Sequence, residues 1–121
     1  MTKQLKKTNP ILISLIQDLK KKAYENEAPI WRDIAVRLEK SSRNWPEVNI
    51  DRINKYIKEN ETALIPGKVL SPGNLTKKVT IAAWSFSEKS IEKIKKSGGK
   101  TLSLQDLVKN NPKGKDIRIL G

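Results

Sequence analysis

Leu12, Leu15, Ile16, Leu19 and Ala23 recur at three- and four-residue intervals, with Ser14, Gln17, Lys20 and Lys21 between them. That period gathers the apolar groups on one side of a helix. Asn9 can cap it, and Pro10 suits the first helical position because its missing N–H would have had no partner there. A helix is therefore predicted from about Pro10 to Asn26. Pro29 opens a second, in which Trp31, Ile34, Ala35 and Leu38 form the buried stripe and Arg32, Arg37 and Lys40 face elsewhere. Asp33 and Arg37 stand one turn apart and can pair. In "VNIDRINKYIKEN", Ile50, Ile53 and Ile57 with Tyr56 fit a short helix capped by Asn49, and Arg52, Lys55 and Lys58 line one basic face.

From Thr62 onward the period changes. Ala63-Leu64-Ile65, Val69-Leu70 and "VTIAAWSF" (79–86) are short apolar runs bounded by Pro, Gly and Asn, the mark of strands. Pro66-Gly67 reads as a hairpin or crossover turn between two of them. Ser85 or Ser87 can cap a helix with Ile91 and Ile94 inward, and Gly98-Gly99 ends it by supplying a positive φ. The unit then recurs: Thr101-Leu102 is a strand, and Ser103 with Asp106 caps a helix holding Leu104, Leu107 and Val108. Asn111-Pro112 stops that helix, Lys113-Gly114-Lys115 turns the chain, and Ile117 to Leu120 is the last strand. The fold class is α/β: N-terminal helices followed by short strand-helix units that form a small mixed sheet with parallel members. Residues 1–8 form a basic arm and residues 9–121 one domain.

Charge changes the picture more than size does. Lys and Arg number 25 against 13 Asp and Glu, a net charge of +12 on 121 residues, so polyanions are the expected partners. There is no cysteine and no histidine, which removes disulfides, zinc-thiolate sites, thiol nucleophiles and the commonest general base. The carboxylates are scattered; Glu59 and Glu61 flank Asn60 in what reads as a solvated turn. No catalytic residue, metal, cofactor or small-molecule substrate is expected. Apolar runs fall far below the roughly 20 residues that span a bilayer. Asp18 and Lys20 to Lys22 interrupt the segment after the basic N-terminus and no small-residue cleavage site follows, so a cytosolic protein is expected.

"LIPGKVLSPGNL" (64–75) contains a Gly-Lys pair, but a phosphate loop needs glycine five positions earlier and a hydroxyl after the lysine, where this chain has Thr62 and Val69. No dinucleotide fingerprint occurs either. Lys68 is then a solvated lysine or one member of a phosphate-facing patch. Trp45, beside Arg43 in "SSRNWP", either caps the core from a loop or offers a face to a nucleotide base with Arg43 on the adjacent phosphate. Zinc fingers are excluded, and no RNA-recognition-motif signature is present. The two N-terminal helices leave a helix-turn-helix open. The positive charge is spread along the whole chain, as binding to a structured RNA backbone allows; a DNA-binding architectural protein is the alternative.

"KTNPILISLIQDLKKKA", "IWRDIAVRLEK", "VNIDRINKY", "IPGKVLSPGNL" and "VTIAAWSFS" stand in the order and spacing of a known family. From Lys7 to Leu120 the chain resembles the archaeal and eukaryotic large-subunit ribosomal protein eighteen-e, which is related to bacterial ribosomal protein fifteen. Its compact length resembles the archaeal members. The resemblance implies a non-catalytic constituent of the ribosome, cytoplasmic, with large-subunit ribosomal RNA and neighbouring ribosomal proteins as partners. Matching basic and polar positions are Lys7, Thr8, Asn9, Arg32, Lys40, Asn49, Arg52, Gly67 and Lys68. The charge reading adds Lys3, Lys6, Arg37, Arg43 and Lys55 as candidate RNA contacts, and the stacking reading adds Trp45. After "RLEK" the family usually continues with proline and several basic residues, whereas Ser41-Ser42-Arg43-Asn44-Trp45 keeps one arginine.

Overall fold

Asn9 begins the first helix as its side chain predicts, its Oδ1 accepting from the N–H groups of Ile11 at 2.9 Å and Leu12 at 3.3 Å. The structure, a computed structural model, describes residues 9–121, so the arm candidates Lys3, Lys6, Lys7 and Thr8 lie outside the described residues. The helices are α1 (Pro10–Glu25), α2 (Pro29–Glu39), α3 (Ile50–Tyr56), α4 (Glu88–Lys96) and α5 (Leu104–Asn110). The strands are β1 (Glu47–Asn49), β2 (Thr62–Leu70), β3 (Thr80–Phe86), β4 (Lys100–Ser103) and β5 (Ile117–Ile119). The α/β class holds. Every pairing in the sheet is parallel, so the strands expected to be mixed all run one way.

β2 organises the sheet. One of its edges pairs with β3, which in turn pairs with β4. The other edge is shared end to end: β5 takes Thr62 to Leu64 and β1 takes Lys68 to Leu70. Pro66-Gly67 is therefore no turn between two strands, and the expected bend is corrected to an irregularity inside one nine-residue strand. Ile65 pairs with Ala83 and Lys68 with Ser85, so two residues of β2 stand opposite Trp84 alone. A bulge of this kind is where a proline fits in a sheet, because a residue outside the ladder needs no N–H to donate. Gly67 has a separate reason to be glycine: a Cβ there would collide with the carbonyl oxygen of Pro46, and that same carbonyl accepts from the Lys68 N–H at 3.0 Å.

Side chains alternate across the sheet into two cores. Leu64 and Ala82 point to one face, where Leu15, Leu19, Trp31, Ile34, Leu38, Leu104 and Val108 of α1, α2 and α5 bury them. Ala63, Ile65, Ile81 and Ala83 point to the other, against Ile50, Ile53 and Ile57 of the α3 segment and Ile94 of α4. Both faces being covered explains why the strands read as near-continuous apolar runs. Trp31 is fully buried and donates its Nε1–H to the Pro112 carbonyl at 2.7 Å, tying α2 to the end of α5. The predicted stripes of α1, α2 and α5 are the buried ones, except that Ala23 is half-buried.

Several local expectations change. β1 had no period of its own to announce it. Asn49 sits at the start of α3 but makes no capping bond, Tyr56 is exposed, and Lys58 falls beyond the helix end. Ser87, not Ser85, caps α4, and Ile91 is half-buried beside the buried Ile94. Glu61 is no solvated carboxylate: it receives Nε and Nη2 of Arg118 at 2.9 and 3.2 Å and the Lys58 N–H at 3.0 Å. Its hydrogen bonds from Arg118, then from the Lys58 backbone, hold its pKa below the ordinary 4.5.

Gly67→Ala is expected to lower unfolding free energy by about 1–3 kcal/mol, read as a lower urea midpoint at unchanged m, because backbone rather than a flexible side chain blocks the new methyl. The lowered pKa of Glu61 makes its pair stabilising above the ordinary carboxylate range, with that contribution lost as pH falls through the folded-state value. Glu61→Gln should therefore be less stable than the parent at pH 7, and the gap between their denaturation midpoints should close on acidification below about pH 4. A gap independent of pH would exclude the pair as its source.

Candidate nucleic-acid interface

The fold uses part of its positive charge internally. Lys20 reaches Glu39 at 2.7 Å between α1 and α2, Lys22 lies 3.8 Å from Glu25, and Arg37 pairs with Asp33 at 3.1 Å as its spacing predicts. Lys93 donates to the carbonyls of Ser71 and Gly73 at 2.6 and 2.7 Å, and Lys77 to that of Ile57 at 2.7 Å. Those bonds hold down residues 71–79, which join the parallel strands β2 and β3 without a helix. Asn54 adds to the clamp by accepting from the Thr76 N–H and hydroxyl, and Pro72 accepts from the Asp51 N–H.

The remaining candidates do not form one patch. Arg32 is exposed on α2, while Arg52 and Lys55 are exposed on α3, and these helices cover opposite faces of the sheet. Lys55 lies 5.3 Å from the centre of the Tyr56 ring. Asn9 and Lys40 are exposed at the start of α1 and the end of α2. Asn49 is exposed, and its side chain is not engaged in capping α3.

Four candidates do come together. Arg43, Trp45, Gly67 and Lys68 line a cleft of about 350 Å³ with Ser42, Pro46, Glu47, Trp84 and Ser85. Here the carboxyl-terminal halves of β2 and β3 meet the 3-10 turn Ser42–Asn44. Trp45 is half-buried, packs on the α1–α2–α5 core and meets Trp84 edge to face, centroids 5.8 Å apart and planes at 74°. Its Nε1–H donates to the Lys40 carbonyl at 3.1 Å. Trp45 thus packs on the core and also borders the cleft, so the two roles its sequence context offered are compatible in one side chain. Gly67 is buried and borders the cleft through its backbone, whereas Arg43 and Lys68 are exposed.

Trp84, Ser85 and Glu47 escaped the sequence reading because they lie on strands whose neighbours only pairing defines: Glu47 registers with Lys68, and Lys68 with Ser85. A second group escaped for the same reason. Thr62 registers with Thr80 and Ile117, and Thr80 with Lys100, so the starts of four strands share one end of the sheet. The segments entering that end carry the exposed Lys58, Lys78, Lys96, Lys100, Lys113 and Lys115. Helix carbonyl termini, which favour cations, point the same way, and α4 has Lys93, Lys95 and Lys96 in its last turn. The sequence signal was a lysine shortly before each of these strands.

Fold and charge together place the chain in the class of small, strongly basic α/β proteins. The family model for ribosomal protein 60S L18 and 50S L18e matches residues 1–121. The chain is 51% identical over 120 residues to the large ribosomal subunit protein eL18 of Methanosphaerula palustris, covering 99% of each. It is 49% identical, again over 99% of each, to that of Methanoregula boonei. To that of Archaeoglobus fulgidus it is 46% identical, over 96% of this chain and 99% of the relative. The chain belongs to this ribosomal protein family, as its motifs indicated.

Lys93 and Lys96 test the division between inward and outward lysines. Lys93→Ala removes two charge-assisted bonds to carbonyls and should cost about 1–3 kcal/mol in denaturant unfolding. Lys96→Ala, on the exposed side of the same helix, should change stability by less than about 0.5 kcal/mol.

Proposed function

We propose that the chain is a structural constituent of the large ribosomal subunit, in the cytoplasm, that holds segments of large-subunit ribosomal RNA by neutralising their phosphates. Its further contacts are with neighbouring ribosomal proteins, and its role is not catalytic. The observation that carries the reading is the sorting of charge: Glu25, Asp33, Glu39 and Glu61 are each paired with a cation of the protein. Arg32 on α2, Arg52 and Lys55 on α3, Arg43 and Lys68 at the carboxyl-terminal end of the sheet and the lysines at its amino-terminal end are left exposed. Family membership points the same way, since the relatives are named as large-subunit proteins. The phosphate contacts assigned are Arg32, Lys40, Arg43, Arg52, Lys55 and Lys68, with Arg37 sharing its charge with Asp33, and with Asn9 and Asn49 as polar contacts. The lysines at the amino-terminal end of the strands join them. The arm residues Lys3, Lys6, Lys7 and Thr8 are assigned here on charge and motif alone.

Rigidity matters to this role. A backbone clamped at β2 and residues 71–79 fixes where the nearby cations are rooted, so binding orders their side chains but not the chain beneath them.

Engagement of roughly six to ten phosphates predicts a loss of about three to five decades in affinity for a ribosomal RNA fragment between 50 and 200 mM salt. Arg52→Ala should weaken binding without regard to base sequence and reduce the salt slope by about one. The full chain should cosediment with large subunits under conditions that leave it off chromatin. Salt-insensitive binding, or recovery on chromatin alone, would overturn the reading.

A further inference from the structure

We infer that the cleft between the Ser42–Asn44 turn and the carboxyl-terminal halves of β2 and β3 receives a single unstacked RNA nucleotide. The base lies against the Trp45–Trp84 pair, the phosphate on Arg43 and Lys68, and Glu47 accepts from an amino group of the base. This rests on the RNA reading above and gives it a site that reads base identity as well as charge.

Three observations carry it. The first is size: about 350 Å³ lies at the low end of small-ligand sites, enough for one base and too small for a duplex. The second is the composition of its walls. Two half-buried indoles, two exposed cations and one exposed carboxylate converge there, and Arg43, Glu47 and Lys68 have no ion-pair partner among the described residues. Indole faces accept any base, cations take the adjoining phosphate, and a carboxylate repels phosphate while accepting N–H groups. Cytosine, adenine and guanine present an amino group to it, whereas uracil offers only its single ring N3–H, so the cleft should favour an amino-bearing base over uracil.

The third is the stiffness of the frame. Trp45 is tethered through Nε1 to Lys40, Pro46 accepts from the Lys68 N–H, and the missing Cβ of Gly67 lets these two backbones meet. Glu47 and Lys68 stand in register across β1 and β2 without an ion pair between them, so the two opposite charges are rooted at neighbouring backbone positions on the cleft wall. A nucleotide with a negative phosphate and a donor-bearing base matches that arrangement.

The test uses the purified full chain with three probes at equal low salt: a cytidine hexamer, a uridine hexamer and a twelve-base-pair RNA duplex. The cytidine hexamer is expected to quench tryptophan emission and to bind more tightly than the uridine hexamer, with the duplex giving no quenching. Trp45→Ala should weaken cytidine-hexamer binding about 5- to 150-fold and leave duplex binding within about twofold. Trp45→Phe should recover most of the loss. Glu47→Ala should bring the two hexamers to within about twofold of each other. If Trp45→Ala does not fold, photocrosslinking of a 5-iodocytidine hexamer to the unaltered protein decides the matter: adducts on Trp45 or Trp84 support the site, and adducts only elsewhere overturn it. Equal binding of all three probes without quenching overturns this inference alone. Failure of every probe to bind would overturn the RNA reading with it.

Discussion

Backbone pairing along β2 is the constraint on which the rest of the molecule depends. This strand bonds β3 along one edge and divides the other between β5 and β1, so the final residues of the chain and residues 47–49 are brought end to end beside one segment. Such a division requires the strand to stay continuous while its pairing register shifts. Pro66 and Gly67 do this together: proline occupies the position where no ladder bond is made, and glycine admits the Pro46 carbonyl. The two helical layers then pack on faces whose identity the strand alternation has already set.

A strongly basic chain must fold against its own repulsion. Here the fold reduces that cost by joining carboxylates to cations across elements, as in Lys20–Glu39 and Arg118–Glu61, and by turning Lys77 and Lys93 onto backbone carbonyls. Those lysines do structural work that composition cannot distinguish from the work of Lys68 or Lys96. The same sorting that stabilises the domain decides which charges remain for a partner.

The two ends of the parallel sheet have different chemistry. At the carboxyl-terminal end, aromatic rings, hydroxyls, the Glu47 carboxylate and the cations Arg43 and Lys68 surround a cleft. At the amino-terminal end the surface is predominantly lysine, favoured by the carbonyl ends of the helices that run back towards it. A parallel sheet makes room for this asymmetry, since every strand starts at one end and finishes at the other. An antiparallel arrangement would have mixed the two sets.

Much of the fold was legible in the sequence. The buried stripes of α1, α2 and α5, the caps at Asn9 and Ser103 and the stop at Gly98 depend on residues within one or two turns of each other, and local spacing is enough to read them, whereas it left the α4 cap open between Ser85 and Ser87. The net charge, and the family motifs that run the length of the chain, were legible for the same reason. Tertiary structure alone decided that Pro66-Gly67 lies within a strand, that Glu61 meets Arg118 from 57 residues away, and that Glu47, Lys68 and Trp84 share a cleft. These depend on which strands pair and in what register. That is settled by burying both faces of the whole sheet at once, and no short stretch of sequence contains it.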